Sequence, residues 1–357
     1  MLEAYRKHAE DRRQRGVPPL PLNPEQTRRV CDMLLEPPKG EQDFLLELLE
    51  QRVPPGVDEA AQIKADFLGR VAREEVDCPA LTPEQAVELL GTMRGGFNVP
   101  HLIEALGREP LADRAAKALA HTIFIFDELD QVKQLADRDN PAGRRVIDAW
   151  AAAEWFKEAP QVPEEIQAVV YKVDGEINTD DLSPAGHATT RPDIPLHALA
   201  MGEKRFPGGI DEIHRLRSET GLPVAFVGDV VGTGSSRKSA CNSLIWHIGE
   251  DIPYVPNKRR GGIILGGVIA PIFFNTAEDS GALPIQCDVT GLKSGQKIRL
   301  RPHEGKLLDE QGGLIAQFEV KPPSLIDEYR AGGRVPLIAG KQLTGRVREM
   351  LELGPID

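Results

Sequence analysis

The 357-residue sequence predicts an all-α domain followed by an α/β domain. Three observations carry this. Up to about Pro160 the apolar residues recur in short stretches at helical spacing, several of them opened by a capping residue. A Pro- and Glu-rich segment, "EAPQVPEE", then breaks the pattern around Pro160 to Glu165. Beyond it, β-type runs alternate with helical ones. With 41% apolar residues the chain can bury sizeable cores, and its length suits two domains of roughly 150 residues each.

In the first half, "NPEQTRRVCDMLLE" places Pro24 one step after a candidate cap, Asn23. In "LTPEQAVELLGTM", Thr82, Pro83 and Gln85 form a capping-box start, and Ala86, Leu89 and Leu90 supply the apolar stripe. Further helices are predicted at "EQDFLLELLEQR", "DEAAQIKADFLGRVAREE" and "LADRAAKALAHTIFIFDE". Helices this short need one another to be stable. The pairs "LTPEQAVELLGTMRGG" and "NVPHLIEALGREP", each closed by Gly, predict helix–turn–helix units of a helical-repeat layer, with a plain helical bundle as the alternative.

In the second half, strands are predicted at "AVVYKVDG", "PVAFVGDV", "GGIILGG", "LPIQCDV", "QKIRLRP" and "LIAQFEV". Helices fall at "SRKSACNSLIWHIG" and "APIFFNTAEDSG". Strands interleaved with helices and then a late hairpin-like cluster argue for a sheet of mixed pairing.

The stretch "GDVVGTGSSRKSA", Gly228 to Ala240, resembles a phosphate loop at first sight. A P-loop needs Gly before its Lys-Ser pair, and that position is Arg237, which disfavours a nucleotide. Cys241, Leu244, Ile245 and Ile248 fall on one helical face, so Ser235, Ser236 and Arg237 are placed at a helix N-terminus. N–H groups, hydroxyls and the positive end of the helix dipole converge there, and Arg237 adds a planar fork for a carboxylate or phosphate. The bland alternative is that Ser235 caps the helix and Arg237 pairs with a surface acid. A second segment, "GEINTDDLSPAGHATTRPDIPLHALAM", holds Asn178, Thr179, Asp180, Asp181, Ser183 and Arg191; its density of polar groups suggests a functional loop, against a solvated one with Asx turns.

Composition excludes other classes. Net charge is −12 and neither half offers the basic field of a nucleic-acid binder. No apolar run approaches the ~20 residues of a membrane span, and the charged N-terminus lacks the apolar centre of a signal peptide, so a cytoplasmic protein is expected, with no membrane partner. Cys31, Cys78, Cys241 and Cys287 lie far apart without CxxC pairing or His at ligand spacing. Buried free thiols and no metal site are expected.

Together, "NTDDLSPAG", the Arg191 segment, "GDVVGTGSSRKSA" and "IAPIFFNTAEDSGALPI" resemble the swivelling domain of the aconitase superfamily. The preceding "PPGVDEAAQIKADFL" and "LTPEQAVELLGTMRGGFNV", and the order of the two domains, are similar to the N-terminal part of its bacterial B branch. The resemblance runs over the whole chain. It implies a HEAT-like helical domain over residues 1–160 and an aconitase-type swivelling α/β domain over residues 166–357. It also implies the substrate-binding half of a hydro-lyase that converts citrate to isocitrate through cis-aconitate in the tricarboxylic acid cycle.

Carried onto this sequence, the resemblance makes Ser235 the base whose alkoxide takes the substrate proton. Ser236, Arg237 and Arg191 become substrate-binding groups, both arginines on carboxylates. A [4Fe–4S] cluster is implied for the complete enzyme, but its three cysteine ligands have no match here. The chain is therefore expected to be inactive alone, as a fragment, a truncated product or a split-enzyme subunit joined by a cluster-bearing partner. Alternatives are a 2-methylisocitrate dehydratase part, or a non-catalytic module whose helical domain binds protein, as in a homodimer, or RNA.

Overall fold

The computed structural model describes residues 1–355. It contains two compact units. One is helical and comprises residues 1–159, 253–256 and those from Ile338 onward; the other comprises residues 160–252 and 257–337.

In the helical unit, both sequence-predicted caps form. Asn23 and Gln26 exchange side-chain and backbone bonds at the start of the helix Pro24–Leu35, and Thr82 and Gln85 do the same for Pro83–Gly91. Proline at the first position costs nothing there, because that N–H has no intrahelical partner. The helices then pack in succession. Glu59–Ala72 lies against Pro24–Leu35 and Pro83–Gly91; Pro83–Gly91 packs on Glu109–Ala120, which packs on Pro141–Ala152. Leu34, Leu68, Leu90, Leu119 and Trp150 are fully buried between them. At about 1.5–3 kcal/mol for each large apolar side chain, this burial holds helices too short to persist alone. The final helix, Arg334–Met350, adds Leu343 and Val347 to the same core. Its Thr344 hydroxyl donates to the Trp150 carbonyl at 2.9 Å and accepts from Trp155 Nε1 at 3.0 Å.

The α/β unit is built on strands β1 (Ile166–Asn178), β2 (Val224–Thr233), β5 (Ile263–Ile269), β6 (Leu283–Gln286), β7 (Lys297–Arg301), β8 (Lys306–Asp309) and β9 (Leu314–Gln317). Between β2 and β5, β3 (Glu250–Ile252) and β4 (Val255–Arg260) make a separate ribbon. The sheet order is β6-β5-β2-β1-β7-β8-β9, parallel from β6 to β1 and antiparallel from β1 to β9. Mixed pairing is thus as the sequence predicts.

Alternation assigns the faces. Val169, Tyr171, Phe226 and Ile264 meet Leu216, Leu244, Ile245 and Phe273 from the connecting helices, whereas Ala168, Val170, Ala225, Val227 and Leu265 pack with Ile298, Leu300, Leu307 and Leu325. Strands buried on both faces read as nearly continuous apolar runs, which is how "VAFV" and "IIL" look in the sequence. Because β1, β2 and β5 are parallel and adjacent, Asn178, Thr233 and Ile269 end side by side and deliver three loops to one edge of the sheet. Crevices outside the carboxyl ends of parallel strands are the usual ligand sites of such sheets.

No helix among the described residues is long and apolar enough to cross a membrane.

Candidate anion-binding site

The site begins where β2 ends. Ile177 pairs with Val231 but Asn178 with Thr233, so Gly232 is an extra residue in the ladder. Its φ of +80° suits glycine, and a Cβ there would lie 2.2 Å from the Phe273 ring. Gly234, at φ +93°, completes the turn that leaves Ser235 and Ser236 exposed. The helix Lys238–Ile248 follows, with Arg237 at its cap position in extended conformation and no side chain capping the first turn. Ser235 therefore does not serve as the cap. Cys241, Leu244, Ile245 and Ile248 are buried as their spacing predicts, and this fixes the helix with its N-terminus at the turn.

The loop after β1 locks onto this turn. Asn178 caps the short helix Thr179–Leu182, accepting from the N–H groups of Asp180 and Asp181, while Asp181 Oδ2 accepts from the Asn178 N–H. The Thr179 hydroxyl donates to the Ser235 carbonyl at 2.9 Å. Arg237 Nη1 donates to Asp180 Oδ1 at 2.5 Å and to the Ser183 carbonyl at 3.1 Å. Arg237 holds the Asp180 carboxyl below its ordinary range, helped by the Ala185 N–H. The pairing of Arg237 with an acid is thus present, yet it engages Nη1 alone. Nε and Nη2 have no partner among the described residues, so the side-on fork stays open to a planar anion.

A cavity of about 200 Å³ lies here, lined by Ser235, Ser236, Arg237 and Thr179 on one side and by Pro271, Ile272 and Thr276 on another. The helix Pro271–Asp279 also starts at this cavity without a side-chain cap. Two helix N-termini and a guanidinium give the cavity a positive field, each helix end contributing ~0.3–2 kcal/mol toward an anion.

Ser235, Ser236 and Arg237 are brought together as the sequence predicts. Arg191 does not line the cavity; its side chain has no polar partner among the described residues, and its carbonyl faces His197 Nδ1 at 3.2 Å. Sequence reading gave no site role to Ile272, Phe273 and Thr276, which reach the cavity from the helix Pro271–Asp279, nor to His197 and Ser239, each of which bonds Ser183. No periodicity marks these residues; only the strand order places them beside the turn. A larger cavity, about 550 Å³, lies in the helical unit near Tyr5, Arg6 and Phe44. Its Arg6 and Arg13 are already paired with Glu41 and Glu10, so it lacks the open fork of the Arg237 site.

The thiols do not fit an iron–sulfur cluster. Cys31 and Cys78 belong to the helical unit, Cys241 and Cys287 to the α/β unit, and all four are buried. Burial pushes Cys31 and Cys241 up to about 12 and Cys287 to about 11, away from the thiolate that a cluster requires. Among the described residues no group of three His, Cys, Asp or Glu is arranged to hold a metal ion.

Comparison with known proteins bears on this geometry. Residues 168–357 match the model of the aconitate hydratase 2 N-terminus, and residues 4–156 match that of the aconitate B N-terminal domain. The chain is 57% identical to aconitate hydratase B of Synechocystis over 99% of its own length and 41% of that protein. It is 53% identical to the Escherichia coli protein of the same name, covering 42% of it. A 3-isopropylmalate dehydratase small subunit from Deinococcus deserti is 28% identical over 44% of this chain and 77% of that subunit. A solved 3-isopropylmalate dehydratase from Methanocaldococcus jannaschii aligns with a TM-score of 0.37 at 18% identity, over 51% of this chain and 98% of that one. The chain thus spans well under half the length of the aconitate hydratases it matches. One family model takes in more than half of its residues, including every residue of the anion site, and a second takes in residues 4–156 of the helical unit: the chain belongs to the aconitase B family and corresponds to its N-terminal part.

Proposed function

We propose that this chain is the substrate-binding half of an aconitate hydratase, acting on citrate and isocitrate in the cytoplasm, with a [4Fe–4S] cluster and the remaining catalytic groups supplied by a cluster-bearing part. One observation carries the reading: Ser235, Ser236 and the open fork of Arg237 line a single positive cavity at the ends of three parallel strands. Its size supports a half-site, because about 200 Å³ falls short of the roughly 300–1,000 Å³ of a complete small-molecule pocket. In this reading residues 1–160 form a HEAT-like layer, supported by their successive helix packing, and the swivelling domain expected over residues 166–357 is the α/β unit ending at Leu337, the chain from Ile338 onward joining the helical core instead.

Arg237 takes a substrate carboxylate through Nε and Nη2, and Ser236 donates its hydroxyl to the same anion. Ser235, as its alkoxide, takes the proton from the substrate carbon to become the hydroxyl, and returns that proton in the reverse direction. A serine hydroxyl is a poor base, and helix termini worth ~0.3–2 kcal/mol move its pKa by little more than one unit at ~1.4 kcal/mol each. The guanidinium beside it adds fixed positive charge. Arg191 is the second carboxylate ligand, its side chain turning toward the substrate while its backbone stays held by His197.

Citrate, ATP and RNA titrated in parallel against the purified chain test this. Citrate binding that Arg237→Ala weakens at least about tenfold is expected, a charge-assisted hydrogen bond being worth ~1.5–3 kcal/mol. Preferential binding of ATP or RNA, unaffected by that substitution, would overturn it.

A further inference from the structure

Ser183 is buried at the meeting point of three segments, and nothing in the proposed chemistry uses its side chain. Its Oγ lies 2.8 Å from His197 Nε2 and 2.7 Å from Ser239 Oγ, while its carbonyl accepts from Arg237. His197 is also buried, and its Nδ1 lies 3.2 Å from the Arg191 carbonyl. Proton counting gives this chain a direction. A carbonyl oxygen only accepts, so Nδ1 carries a proton, and Nε2 of the neutral ring is a bare acceptor. Ser183 must then donate to Nε2, and Ser239 must donate to Ser183.

We infer, on the tricarboxylate reading above, that Ser183 and His197 form a positioning relay tying the Arg191 segment to the Arg237 turn, so that the two arginines meet a polycarboxylate together rather than independently. Every link is short, and two of its members are buried, so neither segment shifts without breaking a bond that water cannot readily replace. Ser239 sits one residue inside the helix that Arg237 opens, and His197 sits six residues beyond Arg191. The relay therefore reaches the backbone of both anion-binding segments. His197 and Ser183 touch no substrate in this arrangement; they act through the arginines.

The test is a double-substitution cycle on citrate affinity in the full chain. Arg191→Ala and His197→Ala should each weaken binding about tenfold, and Arg191→Ala in the His197→Ala background should cost less than about twofold more. His197→Asn retains a donor at the Nδ1 position and should recover part of the loss, whereas His197→Phe should not. Independent, multiplying losses would overturn the relay. Ser239→Ala, at an exposed position, guards against misfolding and should weaken citrate about threefold with the melting temperature unchanged; no change in affinity would count against the relay. Nitrogen NMR of the unliganded chain on the alkaline side of neutrality should show His197 protonated at Nδ1, and a proton at Nε2 would refute the relay whatever citrate does. Absence of citrate binding by the unsubstituted chain, with the Nδ1 proton present, would refute the substrate reading and leave the relay's geometry standing.

Discussion

Replacing Arg237 with Lys keeps the charge and removes the fork. Arg237 carries five N–H donors. The two on Nη1 go to Asp180 and the Ser183 carbonyl, and three remain for an anion. An ammonium has three protons in all. If two hold the same partners, one is left for substrate, so a bidentate carboxylate contact becomes a single bond. Losing one charge-assisted hydrogen bond of ~2 kcal/mol predicts about a thirtyfold weaker citrate complex. The fold itself should be little affected, because Asp180 is largely exposed and such ion pairs are worth about 0–1 kcal/mol. Calorimetric titration at fixed ionic strength, with urea unfolding of the same samples, measures both quantities. An affinity within threefold of the original in a normally folded Arg237→Lys chain would show that the Arg237 fork does not receive a carboxylate.

Thr179→Val removes the hydroxyl that holds the Ser235 carbonyl and should cost about 1 kcal/mol of stability, read by denaturant unfolding, together with a weaker citrate complex. Glu278 is buried beside Glu328, and burial holds its carboxyl up at about 7, so the folded chain keeps a proton that the unfolded chain releases above about 4.5. Its contribution is therefore present at low pH and lost as pH rises through 7; Glu278→Gln should raise the melting temperature at pH 8 and change it little near pH 4.5. Leu343→Ala empties a buried position where the last helix joins the helical unit and should cost about 2–5 kcal/mol, seen as loss of protection in that unit by hydrogen exchange.

Much of this fold is written locally. The capping boxes at Asn23 and Thr82 and the i, i+3, i+4, i+7 face of Cys241 to Ile248 are statements about neighbours in sequence, and each forms as read. The last helix is different: Pro336, Gly340 and Gly345 give it poor intrinsic propensity, and only the buried environment of Leu343 and Val347 accounts for it. Strand β8, absent from the sequence reading, buries the adjacent pair Leu307 and Leu308 between charged ends, so it carries no alternation to read. At the site, the Ser-Ser-Arg turn was legible because a glycine-rich loop between an apolar strand and an amphipathic helix has few other uses. The partners of that turn were not, since Asp180 and Ser183 reach Arg237, with His197 behind Ser183, only through the pairing of β1 with β2. The position of Arg191 away from the cavity lies beyond any periodic signal, because its loop has no repeat to phase it.

The most direct measurement is the turnover of a complete aconitase B carrying this N-terminal half with Ser235→Ala. If Ser235 is the proposed base, it acts as a proton acceptor in the transition state rather than as a ground-state contact, so kcat should fall by about 10²–10⁴ with KM for citrate nearly unchanged. A near-normal kcat would contradict the assignment, and would leave the Ser-Ser-Arg turn as an anion cradle without a base.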